Sequence, residues 1–130
     1  MKVRSEERSV ANHYFKKAKD NFDQMQKAYV DGNWNATATL AVQCAISAGD
    51  AICVYGSQVR SISPDHMDVC VLVAKVPLSD AALKSKQLQK VIMRKNMVQY
   101  ESRNMNRSDA ETMVKATERF YEWVKAILGK

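Results

Sequence analysis

Apolar residues recur at alternating steps of four and three through residues 5–31, at Ala11, Phe15, Ala18, Phe22, Met25 and Tyr29, with Lys, Asp and Gln between them. This period predicts one amphipathic helix that buries a narrow stripe. Asp31-Gly32-Asn33 ends it, because glycine accepts the left-handed conformation in which helices stop, and Asn33 or Asn35 then caps a second helix over 34–55. There Trp34, Ala38, Ala41, Ala45, Ala48, Ile52 and Tyr55 repeat the rhythm while Leu40, Val42, Cys44, Ile46 and Val54 fill the other faces. A helix apolar nearly all round belongs in the middle of a bundle.

Gly56-Ser57 breaks the pattern, and Ser63-Pro64-Asp65-His66 reads as a cap with a proline in the first turn, opening a short helix that Pro77 ends. Met67, Cys70, Val71 and Ala74 give it an apolar face, and it is read as helical because a lone strand would have no partner. A third long helix is predicted over 79–102, with Leu83, Leu88, Val91, Ile92 and Val98 inward. Ser108-Asp-Ala-Glu111 matches a capping box ahead of a last helix that buries Met113, Ala116, Phe120, Trp123 and Ile127 and ends at Gly129. The expected fold is therefore all-α: an antiparallel up-and-down four-helix bundle with an additional short helix between the second and third long helices, in a single domain over 1–130.

Composition narrows this reading without changing it. Four glycines and two prolines among 130 residues suit long helices with few connections, and 46% hydrophobic residues suffice for one core. Cys44, Cys53 and Cys70 make neither an even set nor close ligand pairs; on one helix, Cys44 and Cys53 would stand about 13 Å apart along the axis, too far for a disulfide. Reduced thiols in the cytoplasm are expected, with no metal and no cofactor. A charged N-terminus with no apolar run after it points away from secretion. Residues 36–54 are the least polar stretch, but Gln43 and Asp50 fit a buried helix better than a membrane span, and no membrane partner is expected.

The net charge of +6 is unevenly placed: residues 79–107 hold seven basic residues against two acidic ones. Lys84, Lys86, Lys90, Arg94, Lys95, Arg103 and Arg107 concentrate a field suited to a polyanion, whose phosphates would release counterions on contact. The same lysines also suit a solvated face that keeps a domain soluble. Tyr100 is the one aromatic in the stretch, so a series of stacking platforms for single strands is lacking.

Several short strings resemble the HEPN family of prokaryotic helical domains. They are Tyr14-Phe-Lys-Lys-Ala18, Trp34-Asn35, Ala41-Val-Gln-Cys-Ala-Ile-Ser-Ala-Gly-Asp50-Ala, Asp65-His66, Arg94-Lys-Asn96-Met-Val-Gln-Tyr100-Glu-Ser-Arg103, Ser108-Asp-Ala-Glu111 and Ala116-Thr-Glu-Arg-Phe120-Tyr-Glu-Trp123-Val, and together they span residues 8–128. The resemblance implies a homodimer that acts on RNA in toxin–antitoxin, defence or RNA-processing systems, beside a nucleotidyltransferase-type partner. Many members are metal-independent ribonucleases that place an arginine and, four to six residues on, a histidine on the third long helix, facing a second copy across a cleft. Arg94 matches the arginine and Asn96 the polar position between, but Tyr100 stands where the histidine belongs.

That exchange bears on the chemistry. Cleavage without a metal needs a group that exchanges a proton near the working pH, which histidine does and tyrosine, with a pKa of about 10, does not. His13 and His66 are the remaining histidines, and both read as surface or capping residues. The expected function is an RNA- or nucleotide-binding module with weak or no ribonuclease activity, its contacts drawn from Arg94, Asn96, Tyr100, Lys90, Lys95 and Arg103, with Asp50 as a supporting acid. A basic or amide partner from the third long helix is expected for Asp50, since an unpaired buried carboxylate is costly. The alternative is a non-catalytic interaction or scaffold domain in which the same polar cluster fixes an interface.

Overall fold

Residues 2–9 carry five charges and a single apolar residue, Val3, so they give a helix almost nothing to bury. In the computed structural model, which describes residues 1–130, the first helix accordingly starts later than residue 5. Val3–Ser5 forms β1, Arg8–Val10 a single 3₁₀ turn, and α1 spans Ala11–Val30. The strand finds a partner that sequence periodicity did not disclose: β2, Val59–Ser61, lies antiparallel to it with Arg4 opposite Arg60. The Glu6 amide donates to the Gln58 carbonyl and the Ile62 amide to the Lys2 carbonyl, both at 3.0 Å, so the pairing satisfies backbone groups at each end of the short ladder.

Gly32, at φ +73°, ends α1, and the Asn33 side chain caps α2, Trp34–Ser57, by accepting from the Ala36 amide at 3.3 Å. This helix runs two residues beyond the expected end, and the left-handed stop is Gln58 at φ +53° rather than Gly56. Gly56 serves packing instead. A methyl group there would collide with Val76 Cγ1, and one at Gly49 would come within 2.8 Å of Val69 Cγ1. Two missing side chains thus let the next helix, and the chain just past its end, lie close on α2.

That helix is α3, Met67–Ala74, and its inward face is Val69, Cys70 and Val73. Val71, expected inward, is 42% exposed, because seating Val69 and Val73 against Gly49 turns it outward. The Asp65 carboxylate accepts from the Met67 amide at 2.9 Å, so the first turn is closed by Asp65 rather than Ser63. In α4, Ala81–Tyr100, the residues Leu88, Val91, Ile92 and Val98 are buried, whereas Leu83 is 64% exposed. It precedes Leu88 by five residues, which is ~140° of helical rotation away from the core.

The last helix, α5, spans Arg107–Leu128 and does start with a capping box, but at Asn106 and Asp109 rather than Ser108 and Glu111. Each side chain accepts from the other's amide at 2.9 Å, while Glu111 pairs with Lys115. Gly129, at φ +73°, ends the helix. Met113, Ala116 and Phe120 are buried, and Trp123 and Ile127 pack partly buried at the edge of the core.

The architecture is mostly helical, with one small sheet strapping the N-terminus to the chain beyond α2. α2 holds the centre: α1 and α5 pack along it, and α4 packs on α5 and α3. Although α2 is long and apolar enough to cross a membrane, 72% of its most apolar stretch is covered by the rest of the fold. Cys44, Cys53 and Cys70 are buried free thiols in this core, and burial raises all three above the ordinary thiol range.

Candidate functional site

A cleft of about 350 Å³ opens between the first half of α2 and the end of α4. Asn35, Ala38, Thr39, Val42 and Gln43 come from α2 at steps of three, one, three and one, which is one helical face. Lys95, Val98 and Gln99 come from α4 by the same geometry, and Arg103 and Met105 from the connection to α5. Ala38, Val42, Val98 and Met105 form an apolar floor; Thr39, Gln43, Gln99, Lys95 and Arg103 add hydrogen-bonding groups and two cations. The connection is fastened to α2 through Asn35, whose amide nitrogen donates to Asn104 Oδ1 at 3.2 Å and whose Oδ1 accepts from the Met105 amide at 2.9 Å.

The two cations are not equivalent. Arg103 donates to Asp109 Oδ2 at 2.6 Å, to Glu101 Oε1 at 2.9 Å and to the Asn104 carbonyl at 3.1 Å, so most of its fork is occupied. Hydrogen bonding to Asp109 raises it further above the ordinary arginine range. Lys95 is half-buried and makes no ion pair, which leaves its ammonium free for a ligand. His66, at the start of α3, lies close enough to feel it: burial first, then the Lys95 charge, lower the imidazole below the ordinary histidine range, against Asp65.

Arg94 takes a different role from the one expected. Its Nη1 donates to Asp109 Oδ1 at 3.2 Å, beside the two bonds that Arg103 makes to the same carboxylate. Asp109 is 1% exposed, and hydrogen bonding from Arg103, with the Asn106 amide next among the favourable contacts, holds it down at about 2. Asp109 was missed in the sequence, although Asn106-x-x-Asp109 has capping-box spacing that would have flagged it.

The expected convergence of Arg94, Asn96 and Tyr100 does not occur. Six residues separate Arg94 from Tyr100, so their directions differ by about 120° around the helix. Arg94 turns toward the start of α5, while Asn96 and Lys90 are exposed and Tyr100, at 90% exposure, stands in solvent. Of the predicted contacts, only Lys95 and Arg103 share the cleft. Gln43, Gln99 and Thr39 join them unpredicted; Thr39 and Gln43, polar at a four-residue step on an apolar helix, were the available signal.

Asp50 also departs from expectation. Its partner is Arg60 of β2, with Nε 3.6 Å from Oδ2, and no group of α4 pairs with it. The strand β2 packs back on α2, which brings Arg60 to Asp50. The Arg60 guanidinium lies 5.1 Å from the Tyr14 ring centre, and the Tyr14 hydroxyl donates to Glu6 Oε1 at 2.8 Å, which Arg4 also contacts. Burial raises the Asp50 carboxyl to about 6, opposed by Arg60. This cluster ties β1, α1, α2 and β2 together and lies apart from the cleft residues.

The cleft can hold an anion at Lys95, present amides to the edge of a planar group and cover its face with aliphatic carbon. Comparison with known protein families, with curated proteins and with solved structures finds no match for this chain.

Proposed function

We propose that this chain is a cytoplasmic HEPN-like module that binds RNA or a nucleotide in the α2–α4 cleft, with weak or no ribonuclease activity. In this reading the four long helices form an antiparallel up-and-down bundle and α3 is the added short helix. The observation that carries the proposal is the placement of Lys95, free of any ion pair, on a cleft that also holds Arg103, Gln43 and Gln99 over an apolar floor. A phosphate suits the ammonium and a base suits the floor and amides. The commitment of Arg94 to Asp109, and its separation from Tyr100, support binding without cleavage.

The test is titration of the purified protein with labelled single-stranded RNA and with mononucleotides at about 50 mM salt, where phosphate contacts count most. Lys95→Ala is expected to weaken binding about tenfold, a loss typical of one charge-assisted contact. Arg94→Ala is expected to leave affinity within about twofold, since its fork turns to Asp109 and away from the ligand. No binding by the unmodified protein, or equal binding by Lys95→Ala, would remove the proposal.

A further inference from the structure

α4 has a second surface, directed away from the cleft. Leu83, Met93, Met97 and Tyr100 are 64%, 59%, 40% and 90% exposed. With Lys86 and Lys90 they occupy positions 83, 86, 90, 93, 97 and 100, at steps alternating between three and four, which is the spacing of the seam between two packed helices. The row is about 26 Å long. At its start a hollow of about 490 Å³, lined by Leu83, Gln87, Lys84, Lys86 and Lys90 with Asp80 at its edge, offers room for an incoming side chain.

Apart from Arg94, which pairs with Asp109, the charge on this helix is uncompensated. α4 contains five basic residues and no acidic one. Three lysines of α1 and α5 meet an acid one turn away, in Lys16–Asp20, Lys19–Asp23 and Lys115–Glu111. Lys84, Lys86, Lys90 and Lys95 meet none. A surface that exposes thioethers and a leucine between unpaired ammonium groups is complementary to apolar side chains flanked by carboxylates.

We propose that the outward face of α4 docks an acidic amphipathic helix of another polypeptide, with Leu83, Met93, Met97 and Tyr100 covered by its apolar stripe and Lys86 and Lys90 paired to its acids. A second copy of this chain fits less well, because it would set the unpaired lysines of this face, Lys86 and Lys90, against their own copies and offer them no acid from α4. Nucleic acid would meet the lysines but would leave the aliphatic row unburied.

A synthetic helix of about 21 residues, with leucine at alternating three- and four-residue steps and glutamate elsewhere, serves as the probe. Its affinity is read by fluorescence anisotropy against the full chain. Met93→Glu with Met97→Glu is expected to weaken binding at least tenfold with an unchanged circular dichroism melt. Lys86→Glu with Lys90→Glu is expected to transfer the preference to the same peptide carrying lysine in place of glutamate. Equal peptide binding by the parent and the methionine variant overturns the proposal. So does self-association, measured by sedimentation, that vanishes in that variant, or RNA affinity that falls in it as far as peptide affinity does; those results assign the face to a second copy or to nucleic acid. Lys95→Ala leaves peptide binding unchanged, which separates this surface from the cleft.

Discussion

Asp50 and Asp109 are both buried carboxylates, yet their surroundings push them in opposite directions. Asp109 receives hydrogen bonds from two arginines and the Asn106 amide, so its folded-state pKa of about 2 lies below the ordinary 3.8. Its contribution to stability is complete above 3.8 and is lost as pH falls toward 2. Asp109→Ala removes the acceptor of all three donors and is expected to cost about 3 kcal/mol in urea unfolding at neutral pH. Asp50 is dominated by burial and titrates at about 6. A raised folded-state pKa adds stability that is complete below 3.8 and lost as pH rises through 6. The Tm of the parent relative to Asp50→Asn should therefore be highest near pH 4 and fall by several degrees by pH 7. A difference independent of pH would contradict the assignment.

At the scale of elements, close approach decides more than propensity does. α2 carries Gly49 and Gly56 in its interior, where each weakens a helix in isolation, because Val69 and Val76 occupy the space their side chains would take. Gly56→Ala is expected to destabilise by about 1–3 kcal/mol despite the better helix propensity of alanine. Val76→Ala should cost less in that background than in the parent, a coupling that a double-mutant cycle in urea would measure. If Gly56→Ala stabilises the protein, the close seating beside Val76 is wrong. The same logic explains why the inward face of α3 is shifted: its register is set by the hollow at Gly49 of α2 rather than by its own pattern of apolar residues.

For the whole molecule, the excess charge is distributed over three different duties. Arg94 and Arg103 neutralise a buried acid, Lys95 faces the cleft, and Lys86 and Lys90 flank an exposed apolar row. Net charge alone would assign them all to one partner. Their separation predicts a shallow salt dependence for RNA: each phosphate contact on a single strand contributes a slope of about −0.7 in log K against log salt, so two contacts give about −1.4. Lys95→Ala should reduce the magnitude by about 0.7, measured between 50 and 200 mM salt. A slope several times steeper would mean that the whole basic segment binds the nucleic acid.

What the chain determined locally was legible in it. The helices follow from three-and-four spacing, and most of their ends from Gly32, Asn33 and Gly129, because periodicity and capping involve residues within a turn or two of one another; the cap of α5 lies at Asn106, two residues before the expected Ser108. The β1–β2 pairing, the contact of Asp50 with Arg60, the joint hold of Arg94 and Arg103 on Asp109, and the meeting of Gln43 with Lys95 were decided only by tertiary structure. Each joins segments whose mutual direction depends on how α2 packs against its neighbours. Helical rotation converts a small difference in position into a large difference in facing: Arg94 and Lys95 are adjacent in the chain, yet one serves the start of α5 and the other the cleft, about 100° apart.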